Sequence, residues 1–470
     1  MKFTSDLVIG LEIHAELATD TKLFCSCPRH GNEEPNVRTC PTCLGMPGSK
    51  PVLNRKALDY AIKLCLALKC EIAKELVFSR KSYFYPDMAK NYQISQYELP
   101  IGINGKLKLK DREINIKRAH IEEDPAALVH TGGMRSSHSV LVDYNRSGNP
   151  LIEIVTEPEL NSPEEAREFM NQLITVLEYL DIFDTNKCIM KADANISIKE
   201  SDYTRVEIKN ITGFKEIERA LKYELSRQKK EFNDGKKIIS ETRGWDADKG
   251  VSFSMRTKET EEDYGYIIEP DLAVIDTSEE MIEEIKKTMP ELAEEKLERF
   301  LSHHKIAGDT AKIISKDRKI AELFEKVAVA VNPELAAKWI RRELARVLNY
   351  NKKSLDDTSI SSIHLVDLLK LVESRTITDA VAAKILEKLV EAPFDVREYV
   401  KNEGLGAVSD KDTLEKYCKE AISDSQKAVE DYKAGNEKAL NFVVGQVMRK
   451  TKGKATPNEV NEIIKKLINE

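Results

Sequence analysis

The chain reads as an α+β protein, with an N-terminal antiparallel-sheet cradle domain, a small helical domain and an all-α tail domain. Three observations predict this. Apolar and polar residues alternate with period two through Leu11–His14, Asp193–Ile198 and Arg205–Asn210, the pattern of strands with one greasy and one chemical face. Residues 1 to about 275 interleave such runs with Gly, Pro and Asn punctuation and two clear helices. Beyond Thr277 the sequence turns helical and highly charged. The predicted spans are residues 1–276, 277–350 and 359–470.

Composition bounds the possibilities. A length of 470 residues exceeds one hydrophobic core, and an apolar content of 41% suffices to fold several. The net charge of −7 and pI near 5.9 exclude a protein that holds nucleic acid by bulk charge, leaving only local basic surfaces for phosphates. No apolar run approaches the ~20 residues of a membrane span. The start, Met1-Lys2-Phe3-Thr4-Ser5-Asp6, lacks a signal-peptide core, so a cytoplasmic location is expected. Eight cysteines are too few for a disulfide scaffold at this length, and Cys65, Cys70, Cys188 and Cys418 read as buried small hydrophobes.

Each element follows in order. Gly10-Leu11-Glu12-Ile13-His14 sets a carboxylate and an imidazole on one face of a strand, a pair able to hold a hard cation. Cys25, Cys27, Cys40 and Cys43 follow with C-x-C and C-x2-C knuckles, the donor set of a structural zinc. The segment Arg80–Tyr97 is dense in tyrosine, amide and lysine side chains, which pave polar tunnels and nucleic-acid surfaces. His120-Ile121-Glu122-Glu123-Asp124 offers more cation ligands or an acidic surface turn. A helix opens at Ser162-Pro163-Glu164-Glu165 with Ser162 as N-cap, Pro163 at its first position and Glu165 placed for a capping box. Its core face is Ala166, Phe169, Leu173, Val176 and Leu180; a second helix carries Phe214, Ile217, Leu221 and Leu225.

One strand of this alternating kind reads as a solvated outer face. Three paired in one sheet would instead converge Glu12, His14, Asp193, Asn195, Arg205, Glu207 and Lys209 on a shared floor. Pro290 and Pro333 mark helix starts or breaks in the middle region, and Asn351–Ser359 reads as a linker or loop. The tail closes on Leu440, Val443, Val444 and Val447, a basic turn Arg449–Lys454, and a last helix begun by Thr456-Pro457-Asn458-Glu459. Neither a Walker A loop nor a dinucleotide glycine motif is present.

In this order, Gly10–His14, the cysteine knuckles with Leu44-Gly45-Met46-Pro47-Gly48, Tyr83–Asp87, Gln93–Gln96, Ala119–Asp124 and Val142–Arg146 form one pattern. Arg205–Asn210 and Glu269-Pro270-Asp271-Leu272 continue it. The chain resembles, nearly end to end, the B-subunit family of the aspartyl/glutamyl-tRNA amidotransferases, and Phe442–Lys454 resembles that family's YqeY-like helical domain. It departs at Asp263–Glu269, where the family usually has an Arg and a Phe-Pro around the second tyrosine.

The resemblance implies that mischarged Asp-tRNA(Asn) or Glu-tRNA(Gln) is the substrate. ATP and Mg2+ would serve to phosphorylate its side-chain carboxylate, and ammonia would then displace phosphate. Activation is needed because a carboxylate oxygen is a poor leaving group. Glu12, His14, Glu123 and Glu207 are the implied magnesium-site residues, with Glu122, Asp193 and Glu153 supporting, and Lys81 and Lys90 match positions lining the ammonia route. An amidase A subunit would supply the ammonia and a small C subunit would strap the assembly.

Two other classes stay open on the residues alone. A zinc-stabilised RNA-binding module would use the cysteines and the basic tail, yet leaves the acidic floor without a role. A free-standing metal hydrolase would use the floor and turn over without ATP.

Overall fold

The computed structural model describes residues 5–130, 139–257, 265–407 and 411–469. Its contacts divide it into two units, Met1–Leu292 and Ala293–Glu470.

The first unit is built on a nine-stranded sheet. From one edge its order is Val251–Thr257, Glu241–Asp246, Val206–Thr212, Met190–Ile198, Leu7–Glu16, Pro150–Thr156, Glu113–Glu123, Gly102–Lys108 and Glu71–Ile72. Neighbours are antiparallel except Val206–Thr212 against Glu241–Asp246, which run parallel. The antiparallel cradle is therefore a mixed sheet at that one junction.

Leu7–Glu16 is the central strand, and its alternation decides the register. Ile9, Leu11, Ile13 and Ala15 are buried in the core, where the helices Arg55–Ala67, Pro163–Tyr179 and Phe214–Asn233 also pack. Slipping the pairing by one residue would expose all four, at about 1.5–3 kcal/mol for each larger side chain. The opposite pleat carries Glu12 and His14.

The predicted cap at Ser162 is present, with one change of partner. The Ser162 hydroxyl accepts from the Glu165 backbone N–H at 3.1 Å. The Glu165 carboxylate does not close a box on Ser162; it accepts from the Asn161 N–H at 2.6 Å and from Arg112. Ala166, Phe169 and Leu173 are buried as the spacing requires, as are Ile217 and Leu221 in the second helix.

Domain limits differ from the sequence expectation. The helix Glu279–Lys287 places Met281 and Ile285 in the N-terminal core, so that unit extends past residue 276 to Leu292. The second unit begins with a core that joins Phe300, Phe324, Trp339 and Leu348 to Leu365, Leu386 and Val400. Of the two readings of the polar stretch 351–359, linker or loop, the structure shows the loop, because one core spans it. It forms a turn, Leu355–Asp357, in which Asp357 accepts from the Ser354 N–H at 2.8 Å. A further core, Leu414 to Ile468, gathers the helices Lys411–Asp424, Glu437–Lys450 and Pro457–Asn469. The architecture is α+β, with all-helical structure following the sheet unit. No helix among the described residues is long and apolar enough to cross a membrane.

Candidate active site

Pairing of the central strand brings its polar pleat against polar residues of both neighbours. Glu12 faces Asp193 on one side, and His14 faces Glu153 on the other. Glu153 in turn faces His120 on the next strand out. The His14 Nε2 lies 3.3 Å from Glu153 Oε2, 3.4 Å from Glu122 Oε1 and 3.8 Å from Glu12 Oε1. His120 Nε2 lies 3.2 Å from Glu153 Oε2 and 3.6 Å from Glu122 Oε2. Glu12, His14 and Glu153 bring one donor atom each within 4.8 Å of one another, and so do His120, Glu122 and Glu153.

These contacts set the charges. Burial opposes protonation of His14, but the hydrogen bond to Glu153 and the charges of Glu122, Glu153 and Glu12 outweigh it and raise its pKa to about 10. Burial likewise opposes His120, and Glu153 and Glu122 raise it to about 9. Burial works against ionisation of Glu153 too, yet the two imidazolium groups hold it well below the usual carboxylate range. Burial, reinforced by the Glu153 charge, pushes Glu12 up. Two imidazolium protons thus occupy the place where a divalent cation would put its charge.

The donor set fits such a cation. Glu153 Oε1 is buried and accepts no hydrogen bond, with the Arg118 guanidinium 3.8 Å away. An oxygen of this kind is costly to bury without a partner.

The remaining predicted residues occupy other places. Asp193 accepts from Lys209 Nζ at 2.6 Å, and Glu207 lies 3.4 Å from the same ammonium while accepting from the Thr242 hydroxyl at 2.8 Å. Glu207 thus shares the floor, two strands from His14, without joining either cluster. Glu123 also stands outside them: its Oε1 takes the Lys90 ammonium and the Ile94 N–H, the latter at 2.8 Å. Arg205 is exposed and directly precedes the strand Val206–Thr212. Asn195 pairs in register with Glu207, and its buried Oδ1 accepts no hydrogen bond.

Lys81 sits on the strand Ser79–Ser82, opposite Gln93 and Tyr266. The Arg80 guanidinium lies 4.5 Å from the Tyr92 ring centre and the Lys90 ammonium 5.4 Å from it. Arg80 is held by the fully buried Glu269 carboxylate at 2.7 and 2.8 Å. Of the departing segment near this strand, Asp263 and Tyr264 lie outside the described residues.

His120 lies in the segment that offers further cation ligands, whereas the central place of Glu153, expected only in support, comes from strand pairing. The available signal was a single carboxylate inside the apolar run Leu151-Ile152-Glu153-Ile154-Val155.

The four early cysteines gather within 4.8 Å at their sulfurs, near the spacing of about 3.8 Å that zinc–sulfur bonds of about 2.3 Å impose on a tetrahedron. Lys22, fully buried, places Nζ 3.6 Å from Cys43 Sγ and 3.2 Å from the Tyr144 carbonyl. A buried ammonium there suits the excess negative charge of four thiolates around one divalent ion.

A mixed sheet whose polar pleat gathers histidines and glutamates, beside a four-cysteine knuckle and ahead of helical domains, defines the class. Residues 7–283 match the GatB/GatE catalytic domain, and residues 322–468 match the GatB domain. The chain is 42% identical to the B subunit of the aspartyl/glutamyl-tRNA(Asn/Gln) amidotransferase from Caldanaerobacter subterraneus, over 98% of both chains. It is 43% identical to the proteins of the same name from Thermodesulfovibrio yellowstonii, over 99% of both, and Thermotoga maritima, over 98% of both. The chain belongs to the family of aspartyl/glutamyl-tRNA(Asn/Gln) amidotransferase B subunits.

Proposed function

We propose that this chain carries the tRNA-directed half of a glutamine-dependent amidotransferase. It converts the side-chain carboxylate of Asp-tRNA(Asn) or Glu-tRNA(Gln) to the amide, using ATP, Mg2+ and ammonia released by a partner amidase A subunit, with a C subunit joining the two. The observation that carries the reading is the Glu12, His14 and Glu153 cluster, with a buried carboxylate oxygen that accepts no hydrogen bond, in a chain that belongs to this family.

The chemistry balances in two displacements. A carboxylate oxygen of the substrate attacks the γ-phosphorus of ATP, the bond to the bridging oxygen breaks, and ADP leaves. The ammonia nitrogen then adds to the acyl carbon, the C–O bond to phosphate breaks, and one proton is lost from nitrogen. Mg2+ supplies charge neutralisation on the transferring phosphoryl group.

The chain's own residues do the positioning. Glu12, His14 and Glu153 hold the cation, with Glu122 and His120 fixing the orientation of that set. Asp193, Lys209 and Glu207 extend the charged floor beyond that set and would add to the charge around a bound nucleotide. Lys90 and Glu123, with Lys81 nearby, line the ammonia route, where a lysine and a carboxylate in contact can pass protons without bulk water. The four cysteines hold a structural zinc.

The test is an assay of the reconstituted complex with Asp-tRNA(Asn) and Glu-tRNA(Gln) side by side, with and without ATP. ATP-dependent amide formation on at least one of them is the expected result. Turnover of substrate by the isolated chain without ATP would instead mark a metal hydrolase, and tRNA binding without catalysis would mark an RNA-binding module.

A further inference from the structure

The motif Leu44-Gly45-Met46-Pro47-Gly48 contains two glycines in left-handed conformation, Gly45 at φ +66° and Gly48 at φ +83°. Only one of them meets another part of the fold. A Cβ at Gly48 would find no atom within 4 Å, whereas a Cβ at Gly45 would collide with Lys90 Cγ and come 3.0 Å from its Cβ and 3.1 Å from its Cα. Chirality explains both glycines; packing against Lys90 explains only Gly45.

Lys90 is gripped on its other sides as well. Its side chain is 8% exposed, and its ammonium contacts Glu123 Oε1 and the Tyr92 ring. Its backbone lies in a turn where the Asn91 N–H donates to the Met88 carbonyl at 3.0 Å. The turn bearing Gly45 is itself wound around the cysteine cluster: the Leu44 N–H reaches the Cys40 carbonyl at 3.1 Å, and the Met46 N–H reaches the Pro41 carbonyl at 2.8 Å.

We infer that Gly45 is a positioning residue for Lys90, seating the lysine stem so that its ammonium meets Glu123 and thereby coupling the cysteine knuckle to the ammonia route. The inference rests on the reading above that Lys90 and Glu123 line that route. It gives the knuckle a task beyond bracing its own loop: a change in the sulfur cluster reaches the reactive end of the sheet through one backbone contact.

The experiment uses the full-length chain in its complex and compares Gly45→Ala, Gly48→Ala, Lys90→Ala and the double variant Gly45→Ala/Lys90→Ala. Two quantities are read: acylation of Lys90 by an amine-reactive ester, followed by mass spectrometry, and glutamine-dependent amidation set against glutamine hydrolysis. Gly45→Ala should raise Lys90 labelling and lower amidation roughly tenfold to a hundredfold, the range set by misplacing a group by about 1 Å, with hydrolysis retained. Gly48→Ala, which suffers the same backbone penalty without the collision, should leave both at the parent level. The double variant should be no slower than Lys90→Ala, because the two changes act through one contact.

Equal labelling and amidation in Gly45→Ala and Gly48→Ala overturns the inference, as does a double variant slowed by the product of the single effects. Should Gly45→Ala fail to fold, recovery in Gly45→Ala/Lys90→Gly, which also removes the Lys90 Cβ that lies 3.0 Å from the added methyl group, upholds the contact and failure of both refutes it. Undiminished amidation in Lys90→Ala defeats the ammonia-route reading, while the labelling contrast between the glycine variants still decides the positioning.

Discussion

Glu153 stands directly across from His14 on neighbouring antiparallel strands, and its Oε2 is shared between His14 at 3.3 Å and His120 at 3.2 Å. With Glu122, this one carboxylate favours the protonated form of both imidazoles, while its second oxygen accepts no hydrogen bond. Replacing Glu153 by Gln keeps the shape and removes the charge. Both histidine pKa values should fall toward 6.5, read by NMR titration, and acyl-phosphate formation should drop by roughly a hundredfold or more in rapid-quench assays of the complex. A variant that folds by circular dichroism yet reacts at the parent rate would remove Glu153 from the cation site.

Cation affinity should rise with pH. His14 is charged below about 10, and a metal ligand must be neutral, so binding expels its proton. If one proton leaves, the magnesium dissociation constant falls about tenfold per pH unit between pH 6 and 9, measured by calorimetry in buffers of different ionisation heat. Stability of the metal-free chain runs the other way. The raised imidazole pKa values contribute stability that is full below about 6.5 and lost as pH climbs through about 9 to 10. A pH-independent affinity with no proton release would exclude His14 as a ligand.

Carefully purified protein should contain one zinc per chain. Chelation should lower its first thermal transition, because the four sulfurs and the buried Lys22 ammonium would lose the charge that holds them together. Cys43→Ser should reproduce the shift in the absence of chelator. Elemental analysis without zinc, together with an unmoved transition, counts against the site.

Removal of the tail must respect the cores. A cut at residue 359 would split the core that runs from Phe300 to Val400, whereas removing residues 411–470 takes away the core of Leu414 to Ile468 whole. That deletion should weaken tRNA binding and flatten its salt dependence while sparing ATP hydrolysis. Within the basic turn, Lys450 is engaged by Asp424 at 2.7 Å and Lys454 by the Gly404 carbonyl at 2.7 Å. The exposed Arg449 and Lys452 are the better phosphate contacts, and replacing both by alanine should reduce the salt slope by roughly one to two units in anisotropy titrations. An unchanged slope assigns tRNA recognition elsewhere.

Much was legible in the residues themselves. Alternation in Leu7–Glu16 dictates which pleat enters the core, since burying Ile9, Leu11 and Ile13 leaves Glu12 and His14 no other side. The cysteine knuckles and the Ser162 cap are local as well, carried by spacing over a few residues. Tertiary structure decided what stands beside what. Register across Pro150–Thr156 made Glu153, one carboxylate in an apolar run, the centre of the cluster, and the hydrogen bonds of the segment Lys90–Ile94 drew Glu123 out of it. It also joined helices on both sides of residues 351–359 into one core that their polar connection concealed. The division has one physical cause. Periodicity and capping depend on neighbours a few residues apart, whereas the partner of a buried charge is chosen by strand pairing and packing between segments more than a hundred residues apart in the chain, as in His14 with Glu153.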